Sequence, residues 1–233
     1  MIMFFRGADW IVKLKQQRYL HRCQNSVMRD YLQSEFPSLR TDYRQVEYLA
    51  VDLEMTGLNA SDDHILSIGF VPVIDQRVVL NGARHIYVSS DQGVGQSAVI
   101  HGIHDKDIDQ ATPLAEALGL LLDALKGRVM VLHCAQLDLS FLEQACRGLY
   151  NSSLYVPVVD TMALEDQRLQ RTGMARGSES LRLGDCRRRY NLPDYSAHNA
   201  LIDAVSTAEL FLAQTRYRFG SHPSDLRHIV SIK

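Results

Sequence analysis

Tyr48-Leu49-Ala50-Val51-Asp52-Leu53-Glu54-Met55-Thr56-Gly57-Leu58 alternates aliphatic side chains with a second set that ends in two carboxylates. This period of two predicts a β-strand, because successive side chains of a strand leave on opposite faces. Leu49, Val51 and Leu53 form the predicted core face, and Asp52 and Glu54 project together from the other. Gly57 marks the turn that ends the strand. Two carboxylates on one face repel and raise each other's pKa unless a positive charge lies between them. Hard oxygen donors suit Mg²⁺ or Mn²⁺. An edge strand with a solvated acidic face would show the same pattern, so this stretch alone leaves both readings open.

Two further segments carry isolated acids in informative places. Val129-Met130-Val131-Leu132 is a short apolar run long enough for a buried strand, and a helical pattern through Phe141, Leu142 and Ala145 follows it. Asp138 falls near that junction, where α/β folds place functional groups, although an acid in a first helical turn also simply complements the helix dipole. In Tyr195-Ser196-Ala197-His198-Asn199-Ala200-Leu201-Ile202-Asp203, a helix is expected from about 199 to 214 with Leu201, Val205, Ala208 and Leu212 as its stripe. Asn199 or Ser196 is the expected cap. Asp203 lies off that stripe in an apolar stretch and needs a partner or a metal. His198 offers an imidazole, the side-chain type that suits a general base toward water.

Taken together, Val51 to Leu58, His133-Cys134-Ala135-Gln136-Leu137-Asp138, and His198 with Asp203 resemble the three motifs of the DEDD exonuclease superfamily in its DEDDh, DnaQ-like form. The resemblance covers roughly residues 46 to 215 and keeps the motifs' order. It implies an α/β, ribonuclease H-like mixed β-sheet flanked by helices. It also implies a metal-dependent 3′–5′ exonuclease that releases nucleoside 5′-monophosphates from single-stranded nucleic acid. Asp52, Glu54, Asp138 and Asp203 would hold two divalent cations, Mg²⁺ or Mn²⁺, with His198 as the base. Met55, Thr56, Leu58 and His101 would contact the terminal nucleotide. The second motif departs from the family pattern at Cys134 and Leu137, which bears on substrate contacts rather than on the metal ligands.

Composition fits this reading. The 233 residues are 46% hydrophobic, enough to bury a substantial core. Cys23, Cys134, Cys146 and Cys186 show no paired spacing, so neither a zinc site nor a disulfide framework is expected, consistent with a reducing cytoplasm. No apolar run is long enough to span a bilayer, and residues 1 to 5 are too short for a signal-peptide core.

Residues 1–45 are expected to form a basic helical extension of two helices, one on Trp10, Ile11, Leu14, Tyr19 and Leu20, the other on Val27, Tyr31, Leu32 and Phe36. They carry eight Lys/Arg against four Asp/Glu, whereas the remainder carries 17 against 23. Packing is the favoured role for this extension, contact with nucleic-acid phosphate the other. Residues 46–218 are the expected exonuclease domain and 219–233 a polar tail. Further strands are predicted at 65–74 and 78–88, antiparallel to each other. A helix is expected from Pro113 to Lys126 capped by Thr112, with a strand at 156–160, a helix at 162–169 and a mobile loop at 171–180. The run Arg187-Arg188-Arg189 cannot face one side, so part of it is expected to be solvated.

DNA is the favoured substrate. Two alternatives stand beside it: a 3′–5′ exoribonuclease, and a polymerase-associated subunit of a replication or repair assembly. The chain ends soon after the third motif, which favours a free-standing enzyme. Oligomeric state is open.

Overall fold

The computed structural model describes residues 6–89, 111–172, 181–196 and 198–232. Its centre is a seven-stranded sheet. The strands are β1 (Tyr48–Met55), β2 (Ile65–Ile74), β3 (Arg77–Val78), β4 (Arg84–Tyr87), β5 (Val129–Leu132), β6 (Pro157–Asp160) and β7 (Ser231–Ile232). The order is β3-β2-β1-β5-β6-β7, with β4 on the same edge of β2 as β3. β1, β5 and β6 run parallel, and the β1–β2, β2–β3, β2–β4 and β6–β7 pairs are antiparallel. The helices are α1 (Arg6–Arg22), α2 (Ser26–Gln33), α3 (Leu114–Leu125), α4 (Ala135–Tyr150), α5 (Thr161–Thr172), α6 (Leu183–Arg189) and α7 (Ala200–Phe219). Among the described residues, no helix is long and apolar enough to cross a membrane.

Both faces of the sheet are covered. Leu49, Val51 and Leu53 enter one core cluster with residues of α2, α3 and α4, as the alternation in β1 predicts. Tyr48 and Ala50, on the face of Asp52 and Glu54, enter a second cluster under Ala204, Ala208 and Phe211 of α7. The acidic pair therefore stands on a covered central strand, and the edge-strand reading is excluded. α2 packs Met28, Tyr31 and Leu32 into the first cluster, and the Tyr31 hydroxyl donates to the Tyr155 carbonyl at 3.0 Å. Residues of the extension are thus continuous with the core. On α1 the inward residues are Val12, Gln16, Tyr19 and Leu20; Trp10 is 63% exposed and Leu14 42% exposed, contrary to the predicted stripe. Leu226 is buried and β7 pairs with β6, so the segment read as a polar tail contributes to the sheet.

Several local expectations are corrected. The strand predicted at 78–88 is split into β3 and β4 by a single 3₁₀ turn at Leu80–Gly82. Pro72 explains the break: its carbonyl accepts from Val79 on that side of β2, and its missing N–H cannot continue the ladder there. The turn before β3 uses Asp75 and Gln76, both at positive φ (51° and 59°), as a two-residue hairpin requires. α3 starts at Leu114 with Pro113 in the cap position, and Thr112 instead bridges to Val88. The expected loop at 171–180 lies almost wholly outside the described residues, and so does His101.

The largest correction concerns α7. Asn199 is its cap, accepting from the Ile202 N–H at 3.1 Å. Of the expected stripe only Ala208 is fully buried, in line with Ala200, Ala204, Thr207 and Phe211, while Leu201, Val205 and Leu212 are only partly covered. Small residues face the sheet because the helix lies unusually close to it. A Cβ built on Gly69 of β2 would fall 2.1 Å from the Ala200 carbonyl carbon. Asp203 follows Ala200 by three residues, so it joins the sheet-facing side that the larger aliphatic residues had obscured.

Candidate active site

Spacing along strand and helix brings the acids together. The rings of Tyr48 and Phe211 lie 4.6 Å apart. Asp203 is eight residues back from Phe211, about 12 Å along a helix, and Asp52 is four residues on from Tyr48, about 13 Å along a strand. α7 runs antiparallel to β1, so these two displacements end at the same place. One carboxylate oxygen from each of Asp52, Glu54 and Asp203 lies within 4.8 Å of the others. Asp138, in the first turn of α4 and 5% exposed, stands outside that trio but adjoins it. Its charge acts on both Asp52 and Glu54.

Electrostatics records the crowding. Burial, then the charges of Asp138, Asp203 and Glu54, hold the Asp52 carboxyl well above the usual carboxylate range. Burial, then Asp203 and Asp138, push Glu54 up to about 8. Burial raises Asp138 to about 7 against the pull of hydrogen bonds from its own N–H and that of Leu53. Burial also raises Asp203, opposed by backbone hydrogen bonds from His198 and Asn199. Four acids converging in this way, all oxygen donors, fit hard divalent cations, whose charge would offset the repulsion.

A pH prediction follows for the metal-free protein. Acids whose folded pKa is raised bind protons more tightly when folded, so their penalty is full above the folded pKa and disappears below the unfolded value. For Glu54 and Asp138 that window runs from about 8 and about 7 down toward ordinary carboxylate values. In EDTA the thermal midpoint should rise as pH falls from 8.5 to 5.5, by an amount worth on the order of several kcal/mol. Saturating Mg²⁺ should flatten the curve. A midpoint that falls over this range in EDTA would contradict the assigned electrostatics.

The second and third motifs are held by groups whose role the sequence did not reveal. Asp160, at the end of β6, accepts from Cys134 and Ala135 N–H at the start of α4 and from Met162 and Ala163 N–H at the start of α5. It ties both helix N-termini to one strand end; an acid followed by Thr161 before a helical pattern was its only signal. Arg187 is 2% exposed and donates to the carbonyls of Ser206 and Pro193 and to Glu209 at 2.7–2.8 Å. It thereby pins the segment leading to His198 onto α7. Of its neighbours, Arg189 pairs with the buried Glu165 at 2.7 Å, and Arg188 is the solvated member expected of the run.

His198 is exposed, at φ 70°, and its backbone N–H donates to Asp203 Oδ2 at 2.8 Å. His133, by contrast, is internal: its ring nitrogens contact Thr161 Oγ1 at 2.9 Å and the Leu181 carbonyl at 2.8 Å. Cys134 adopts a left-handed conformation (φ 67°, ψ 51°), which asparagine tolerates better. Cys134→Asn should therefore leave the thermal midpoint unchanged or raise it; a marked fall would show that the thiol packs better than this. Past β1, the Thr56 hydroxyl bonds Asp63 Oδ1 and receives the His64 N–H, so it builds the turn. Met55 is partly buried, and Leu58 is 78% exposed.

A mixed sheet flanked by helices, with four acids gathered where β1, α4 and α7 meet, defines a ribonuclease H-like nuclease fold. Solved structures share it: cell-death related nuclease 4 aligns with TM-score 0.63 at 16% identity over 80% of this chain and 67% of that one. The nuclease domain of 3′hExo, a DEDDh family member, aligns with TM-score 0.63 at 14% identity over 79% of this chain and 99% of that one. In sequence, the chain is 30% identical to the DNA polymerase III epsilon subunit of Salmonella typhimurium over 179 residues, covering 72% of this chain and 70% of the relative. A family model described as exonuclease matches residues 49–211. The chain belongs to that exonuclease family, in its DnaQ-like 3′–5′ branch, and is a nucleic-acid-degrading hydrolase.

Proposed function

We propose that this protein removes nucleotides one at a time from the 3′ end of single-stranded DNA by two-metal-ion hydrolysis, with Asp52, Glu54, Asp138 and Asp203 as ligands and His198 as general base. The convergence of Asp52, Glu54 and Asp203 carboxylate oxygens within 4.8 Å carries the reading. Divalent cations held there would supply water activation and neutralisation of charge at phosphorus. Asp52, grouped with Glu54 and Asp203 and acted on by the charge of Asp138, would help hold both cations. Asp203 is fixed for its role by the His198 N–H, so the backbone of the third motif orients a ligand while its imidazole remains accessible. That imidazole takes the proton of the attacking water. Exposed Leu58 and partly buried Met55, which follow the acidic pair, receive the terminal base and sugar. DNA is favoured because the 30% identical relatives are DNA polymerase III subunits, and by the same likeness a replication or repair assembly is the partner class to examine.

The test is a time course on 5′-labelled single-stranded DNA and matched RNA with Mg²⁺, Mn²⁺ or EDTA. A metal-dependent ladder shortening from the 3′ end, faster on DNA, is expected. Faster RNA shortening would reverse the sugar preference, and intact strands under both metals would reject the activity. His198→Asn keeps a residue that tolerates positive φ and removes the base. It should lose roughly 10²–10⁴-fold in rate while retaining the Mg²⁺-induced rise in thermal midpoint. Undiminished turnover would place the base elsewhere.

A further inference from the structure

The catalytic cluster is acidic, and residues 46–233 carry a net negative charge, so attraction for a polyanionic strand has to come from another surface. α1 presents one. Lys15, Arg18 and Arg22 follow each other at three and four residues, which puts them along one side of the helix over about 10 Å. They line a cavity of about 450 Å³ whose other wall is the turn after α4, including Ser152 and Ser153. Tyr19 and Tyr155 complete the lining, stacked at 5.1 Å. Among the described residues none of the three cations makes an ion pair, whereas Lys13 on the same helix pairs with Glu35.

The cavity is built rather than incidental. Gln16 is buried and donates to the carbonyls of Leu32 and Ser34, both at 2.8 Å, which locks α1 onto the end of α2. The Tyr155 hydroxyl donates to the Val12 carbonyl at 2.9 Å, which locks the aromatic wall to α1 from the other side. The cationic stripe is therefore held in place. Its length would meet roughly three phosphates at the 3.4 Å spacing of a stacked strand.

We propose that this cavity is a second nucleic-acid site, which grips the phosphate backbone of the substrate strand upstream of the 3′ end being hydrolysed. The inference rests on the exonuclease reading above. α4 fixes the geometry: Asp138 is in its first turn and the cavity wall follows its last residue, so the two lie roughly 20 Å apart along its axis. At the stacked spacing, about six nucleotides separate them. A trinucleotide cannot reach both places, and a 20-mer can.

The experiment compares the parent with Lys15→Glu/Arg18→Glu/Arg22→Glu. Binding of a 5′-labelled DNA 20-mer is measured by fluorescence anisotropy in EDTA over a salt series, and hydrolysis of a DNA trinucleotide is measured separately in Mg²⁺. The variant should weaken 20-mer binding about tenfold or more and reduce the slope of log affinity against log salt by about 2, as expected for three lost phosphate contacts on a single strand. Trinucleotide hydrolysis should be unchanged. Equal 20-mer affinity and slope, or an equal loss on both lengths, would overturn the proposal. So would inorganic phosphate binding that disappears in the variant while 20-mer affinity stays the same, since the cavity would then be a small-anion site. Arg18→Gln alone, with its thermal midpoint matched to the parent, should show a smaller loss of the same kind; no loss in a folded single variant counts against the site. Because binding is read without catalysis, absence of a ladder in Mg²⁺ and Mn²⁺ would reject the exonuclease reading independently.

Discussion

Asp52→Asn should lose nearly all exonuclease turnover and, in EDTA, melt at a higher temperature than the parent. The two effects have one cause. Asp52 sits among Asp138, Asp203 and Glu54, and burial with those three charges holds its carboxyl well above the usual range. An amide of the same shape removes a charge that the metal-free fold must accommodate at a cost, so the apo protein gains stability. The same change removes a ligand proposed to serve both cations. Changes to residues that merely orient ligands cost about 10–100-fold, so direct loss of this one should exceed that range. Rates on a labelled strand and melting curves in EDTA and Mg²⁺ measure both halves. Turnover within tenfold of the parent would remove Asp52 from the chemistry. A lower apo midpoint would show that the carboxylate is satisfied in some way other than by a cation.

The contrast between β1 and α7 shows how much was legible in the sequence. In β1 every second side chain shares a face, so the placement of Asp52 with Glu54 follows from spacing alone, and the register Asp52–Gly69 on β2 leaves it undisturbed. In α7 the pattern suggested a stripe on Leu201, Val205, Ala208 and Leu212, but close approach to the sheet kept only Ala208 of these fully buried and set Ala200 and Ala204 beside it. Hydrophobicity scales by size, whereas helix-on-sheet packing at short distance selects small residues; the two criteria point to different sides of one helix. β3 and β4 were merged for a related reason, since only Pro72 on the neighbouring strand reveals the break. Asp160 left only the cue of an acid before Thr161 and a helical pattern, and Arg187 read as one of three consecutive arginines, because the work of both is done through backbone groups of distant segments. The likeness to DEDDh nucleases supplied the grouping of Asp138 with the other acids, which strand and helix periods could not.

Gly69→Ala should cripple the enzyme without touching any acid. An isolated glycine inside a strand pattern signals close backbone approach, and here the approaching backbone is the N-terminus of α7. The added methyl would lie 2.1 Å from the Ala200 carbonyl carbon, 2.2 Å from its oxygen and 2.3 Å from the Leu201 nitrogen. All three are backbone atoms, so no side chain can swing aside, and the helix start has to move by an ångström or more. Asp203 and His198 move with it, while Asp52 stays on β1. A misplacement of that size at a reacting centre costs about 10²-fold in rate. Overpacking should also destabilise the fold by about 1–3 kcal/mol. Gly119→Ala is the control, because among the described residues a Cβ there meets only Val27 and Tyr150 side-chain atoms at 3.8–3.9 Å, and it lies within α3, where alanine is the better helix former. The decisive readout is Mg²⁺ affinity well below the melting temperature, which should fall for Gly69→Ala and remain at the parent level for Gly119→Ala. If both variants bind Mg²⁺ and turn over alike, the contact between β2 and α7 is not what aligns the third motif with the first.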